Sequence, residues 1–183
     1  PICMMNTIRI TARYNNLSII EDTYGINLRP LLTYAEKYFE DNPAFSPKIE
    51  FGDSLSEEER LEVTKIHQAA AILQFKLEEQ LVKRRPEFNM EHRLLLSKIN
   101  YDDETITLDE KKIPLQHTCF SHLDPENPAD MTQEEEEVIH RLLHNFIHSE
   151  KLTRHMNFLL EKGSMYLIHN ENLLIHGCVP LTT

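Results

Sequence analysis

Apolar residues recur every three or four positions through most of this chain, and every second position in only two stretches. Met4, Ile8 and Ala12 share one face of an opening helix, which Asn15-Asn16 interrupts. A short helical piece, Leu17 to Tyr24, ends at Gly25, a residue suited to the left-handed turn after a helix. Pro30 fits the first position of the next helix, predicted to reach about Glu40 and stop before Asn42-Pro43. Residues 42–53 hold two prolines and a glycine and read as a loop.

A long helix comes next. Ser54 with Glu57, and Ser56 with Glu59, both fit the capping box at its start. Val63, Ile66, Ala70, Leu73, Leu77 and Leu81 form its apolar stripe, and Pro86 ends it. Its length of about 45 Å at 1.5 Å per residue exceeds what one small core requires. The expectation is an arm, or a helix that packs partly on something outside this segment.

From Ser97 the period becomes two. The runs 98–101, 105–108 and 113–115 predict a small antiparallel meander, with Pro114 placing the last strand at an edge. Residues 117–130 read as a loop. Thr132 with Glu135 opens a second long helix, predicted to run to Gly163. Its stripe of Ile139, Leu142, Leu143, Phe146 and Ile147 gives way to a rotated one of Leu152, Met156, Leu159 and Leu160. A bend or a change of packing partner is therefore expected near Ser149 to Lys151. The chain finishes in a hairpin, Met165 to His169 and Leu173 to His176, joined through Asn170-Glu171-Asn172. The fold class is α+β, predominantly helical, with a small antiparallel meander and a C-terminal β-hairpin.

Composition narrows the function. The 183 residues are 40% hydrophobic and 27% charged, a globular balance. Thirty Asp and Glu against 19 Lys and Arg give a net charge of −11 with neutral His. That field opposes nucleic acid and anionic membranes as partners, and leaves room for a small anion held by a local positive cluster. The four glycines, Gly25, Gly52, Gly163 and Gly177, are too far apart for a phosphate-cradling loop or a dinucleotide fingerprint. Cys3, Cys119 and Cys178 have no paired spacing and read as reduced thiols of a cytoplasmic protein. The longest apolar run, Ala69 to Leu73, is too short to span a bilayer, and the first residues do not resemble a signal peptide.

Three groups are candidates for chemistry. His140, His144, His148 and His155 would share a stripe about 80° wide on one continuous helix. Histidines one turn apart can share a metal, but no Cys or Asp stands at ligand spacing, and a polar helix flank is the simpler reading. Arg9, Arg13 and Arg29 lie in a run rich in Tyr and Asn, and guanidinium forks match phosphate oxygens. The simpler reading is again a solvated face. Lys83-Arg84-Arg85 complements the end of a helix dipole. His176 leaves an apolar strand, Leu173-Leu174-Ile175, immediately before Gly177, where the chain can turn sharply toward a ligand.

The run from Ile8 to Leu17, the run from Glu21 to Leu31, Ser149-Glu150-Lys151-Leu152, Lys162 to Tyr166, and Asn172 to Leu181 together resemble class III fructose-1,6-bisphosphatase, in that family's order and across nearly the whole chain. The resemblance implies a likeness to the calcineurin-like metallophosphoesterases. These have a β-sandwich flanked by helices, with a pair of divalent metal ions, usually manganese, at the strand ends. It implies removal of the 1-phosphate of fructose 1,6-bisphosphate to give fructose 6-phosphate, a gluconeogenic step. Two metals about 4 Å apart activate a water and clamp the phosphoryl oxygens. In the family pattern the HG after an apolar strand supplies a metal ligand, and His176-Gly177 matches it.

The family's other metal motifs, GDxH, GDxxDRG, GNHD and a late GHxP, do not occur. Gly52-Asp53 is the only GD, and no His or Arg follows it in register. The expectation is an internal fragment. It comprises a helical segment (1–41), a helical insertion (54–162) containing the meander (97–115), and a hairpin (163–183) with one metal-ligating residue. Such a fragment is expected to be inactive alone and to bind no metal. Its exposed apolar patches would be covered by missing partners or by self-association into a homo-oligomer. A non-catalytic helical interaction or regulatory module derived from the family is the other class the sequence leaves open.

Overall fold

A computed structural model describes residues 1–49 and 54–177. Gly52-Asp53, and Cys178 with the rest of the last block of resemblance, lie outside the described residues. Helix α1 (Ile2–Arg13) buries Met4, Met5, Ile8 and Ala12, the face its spacing predicts. The short helix predicted after it is a widened π-helical turn, Ile19–Thr23. It closes at Gly25, whose φ of +65° lets Ile26 N–H reach back to the Ile20 carbonyl at 3.2 Å. Helix α2 (Arg29–Tyr38) begins with Pro30 in its first turn and buries Leu31, Tyr34 and Ala35.

Helix α3 (Glu57–Arg84) starts at Ser56, with both halves of the capping box formed to Glu59. It is not an arm. Its middle, from Ile66 to Gln74, is buried on every side, because α1 and α2 pack along it within this chain. The predicted stripe missed this because the helix also buries polar side chains. Gln68 donates to the Glu40 carbonyl at 2.8 Å, and Glu79, fully buried, accepts from the Ser97 backbone N–H and hydroxyl and from Lys83. Each buried polar group named here has a partner, which removes most of the cost of burying it.

Three single 3₁₀ turns lead from α3 to the meander β1 (Ile99–Asn100), β2 (Thr105–Leu108) and β3 (Lys111–Pro114). It is antiparallel throughout, and β3 is at the edge, as Pro114 requires. Lys111 and Lys112 pair with β2 rather than sitting in the turn. The turn is only Asp109-Glu110, both with positive φ, the two-residue geometry that matches strand twist.

The predicted second long helix is two helices. Helix α4 (Gln133–Ile147) ends at His148, and α5 (Glu150–Lys162) restarts with Ser149 as its N-cap. The Ser149 hydroxyl donates to the Tyr24 carbonyl at 2.7 Å, which pins the break to the turn after α1. Val138, Ile139 and Leu142 of α4 join the core with α1, α2 and α3. No residue of α5 is fully buried. The hairpin strands β4 (Tyr166–His169) and β5 (Asn172–Ile175) are likewise exposed along their length, although Leu167, Ile168, Leu173, Leu174 and Ile175 are apolar.

Candidate functional site

His176 owes its position to the hairpin. The strands pair from His169↔Asn172 to Tyr166↔Ile175, joined by Asn170-Glu171 with φ of 49° and 63°. His176 therefore stands one residue past the last rung, exposed, ahead of Gly177 at φ +90°. Among the described residues no three His, Cys, Asp or Glu side chains are grouped so as to hold a metal ion. A two-metal centre built on the described residues alone does not fit. His176 is at most one ligand of such a site.

The histidine stripe is divided by the helix break. His155 lies on α5, where its ring meets Tyr24 edge-on at 5.7 Å and its Nδ1 is 3.3 Å from the Tyr24 hydroxyl. His144 and His148 stack at 4.0 Å, and His148 Nδ1 donates to the His144 carbonyl at 2.8 Å. His140 is exposed on α4. The four do not form one row, because the continuous helix that would align them is absent.

The three arginines separate as well. Arg29 lies at the start of α2 beside two clefts. Glu134 and Glu137 share the wall of one, and Glu21, Glu59 and Glu62 that of the other. Arg9 and Arg13, one turn apart on α1, line a single cavity of about 350 Å³ between α1, the middle of α3 and the segment after the meander. Arg9 Nε donates to Gln74 Oε1 at 2.8 Å and Nη2 to Asn6 Oδ1 at 3.0 Å.

Sequence reasoning missed the rest of this cavity. His67 of α3 is 3% exposed and donates Nδ1–H to the Phe45 carbonyl at 2.8 Å. Burial pushes its pKa below the usual histidine range, the Phe45 carbonyl pulls the other way, and the charges of Arg9 and Arg13 add to the lowering. His117 and Cys119 also face the cavity. Burial raises the Cys119 thiol to about 12, so it is no nucleophile near neutral pH. The only local signal was a histidine just ahead of the apolar run Ala69 to Leu73, and one sequence does not say what such a residue meets.

Against this geometry the comparisons with known proteins are decisive on kinship. The family described as Firmicute fructose-1,6-bisphosphatase matches residues 1–183. The chain belongs to that family. It is 56% identical over 180 residues to fructose-1,6-bisphosphatase class 3 of Oceanobacillus iheyensis, and 57% identical over 180 residues to that of Bacillus velezensis. It is 56% identical over 183 residues to that of Staphylococcus aureus. Each match covers 98% of this chain and 28% of the relative. The chain thus spans little more than a quarter of the length of the relatives it matches. No solved structure matches it. No helix among the described residues is long and apolar enough to cross a membrane.

Proposed function

We propose that this chain is a segment of a fructose-1,6-bisphosphatase that releases phosphate from fructose 1,6-bisphosphate to leave fructose 6-phosphate. The observation that carries this reading is identity of 56% or more, over 98% of the chain, to proteins named for that enzyme. In the complete protein His176 supplies one ligand to a divalent metal centre of metallophosphoesterase type, with manganese as the ion and the cytoplasm as its setting. The motifs that would supply the remaining ligands are absent from these 183 residues, so they come from elsewhere in the complete protein.

The apolar hairpin supports this reading. Strands that are apolar on both faces belong inside a layered sheet rather than at a surface. Among the described residues such strands stand exposed with only each other for partners. The test is manganese-dependent phosphate release from fructose 1,6-bisphosphate. The complete protein is expected to turn over and the 183-residue chain to stay at the buffer blank. Turnover by the chain alone would contradict the division of ligands, and an inactive complete protein would contradict the assigned reaction.

A further inference from the structure

We propose that the cavity lined by Arg9 and Arg13 is a binding site for a small organic anion, a phosphate or carboxylate head on an apolar body. The inference stands on the cavity and not on the enzymatic reading above.

Charge is the first argument. Acidic residues outnumber basic ones by 30 to 19 in this chain. Yet the described residues lining this cavity include two arginines and two histidines, and no Asp or Glu. The clefts beside Arg29 have glutamates in their walls, and two further clefts hold Glu150 and Glu161 in one and Asp102 and Glu104 in the other. A positive recess in an acidic molecule focuses anions toward itself.

Unused donors are the second argument. The Arg13 side chain makes no hydrogen bond or ion pair among the described residues, although its backbone carbonyl holds Lys48 N–H at 2.7 Å. Arg9 has Nη1 to spare, since its two bonds occupy Nε and Nη2. His67 spends its one N–H, at Nδ1, on the Phe45 carbonyl, so the free donors are those of the two arginines. Two guanidinium groups one helical turn apart offer several N–H donors to one multi-oxygen head.

The remaining wall is apolar. Phe45, Phe75 and Phe120 line the cavity with Ile72 and Leu115. A bare inorganic ion would leave that surface uncovered. An apolar body on the anion covers it and gains from its removal from water. About 350 Å³ is at the small end of ligand pockets, room for one ring or a short branched chain.

Isothermal titration of the 183-residue chain with phenyl phosphate, benzoate and inorganic phosphate tests this. One of the two aromatic anions is expected to bind measurably more tightly than inorganic phosphate, and which one does so assigns the head as phosphate or carboxylate. Arg13→Gln removes no hydrogen bond among the described residues, and is expected to weaken that binding about tenfold or more. Arg29→Gln is expected to leave it within about twofold, since Arg29 is outside the cavity. The proposal is overturned if neither aromatic anion binds at millimolar concentration, if inorganic phosphate binds as tightly as both, or if Arg13→Gln and Arg29→Gln behave alike.

Discussion

Lys76→Met is expected to destabilise the fold by about 3–5 kcal/mol, because it leaves a buried carboxylate without its cation. Lys76 and Glu135 are 3% and 1% exposed and meet at 2.8 Å, joining α3 to the first turn of α4. All three ammonium protons are used. Two reach the carboxylate oxygens at 2.8 Å each and the third reaches the Asp130 carbonyl at 2.9 Å. Glu135 in turn accepts from the Tyr34 hydroxyl at 2.8 Å and from Thr132 N–H at 2.7 Å. Burial first, and the Glu135 charge second, push the Tyr34 pKa well above the tyrosine range, so Tyr34 stays a donor at any working pH.

A loss of that size is a large share of the 5–15 kcal/mol typical of a whole domain. Urea unfolding of the chain should therefore show a much lower midpoint for Lys76→Met. Lys76→Met combined with Glu135→Gln should recover part of the loss. The amide oxygen still accepts from Thr132 N–H, its NH2 can donate to the Tyr34 hydroxyl oxygen, and no unpaired charge remains. A loss under about 1 kcal/mol in the single variant would show that the pair is not the clasp described here.

His176→Ala, made in a complete phosphatase that contains this segment, is expected to lower the rate of phosphate release by about a hundredfold or more. The expectation rests on where the residue stands. It is exposed, one position past the last hairpin rung, and its side chain makes no hydrogen bond or ion pair among the described residues. Loss of activity without loss of stability is therefore the signature. His169, also on the hairpin but paired at its turn end with Asn172, is the control. His169→Ala should leave the rate within about threefold. Near-normal activity for His176→Ala would remove it from the site.

The parts of this structure visible in the sequence are those that one local rule determines. Of the three capping boxes the sequence spells, Ser56 with Glu59 and Thr132 with Glu135 formed, and Ser54 with Glu57 did not, because the helix takes Ser56 as its N-cap. Pro30 and Pro114 stand at a helix start and a sheet edge, the two places that tolerate proline. The break in the last helical region lies at Ser149, where the two apolar stripes pointed. What escaped were roles set by distant partners. Glu135 reads as a cap and is also the counter-ion of Lys76, 59 positions away. Lys76 and Glu79 lie off the predicted apolar stripe of α3, and are core residues because their partners face them.

The candidate sites differ in how they came to notice. His176 is a candidate through the family pattern, and Arg9 with Arg13 are candidates through their spacing, set against a solvated face. The cavity was not, because α1, α3 and the segment after β3 contribute its walls from residues over a hundred positions apart. The histidine stripe failed for a local reason, since one capped break separates His155 from the other three.

In the function proposed above, this segment contributes one metal ligand to a centre assembled from the complete protein. Manganese content per chain, measured after desalting, is the decisive test. The complete phosphatase is expected to retain close to two ions, the same protein with His176→Ala clearly fewer, and the 183-residue chain none. Stoichiometric manganese on the chain alone would contradict the claim, as would a complete protein whose manganese is unchanged by His176→Ala.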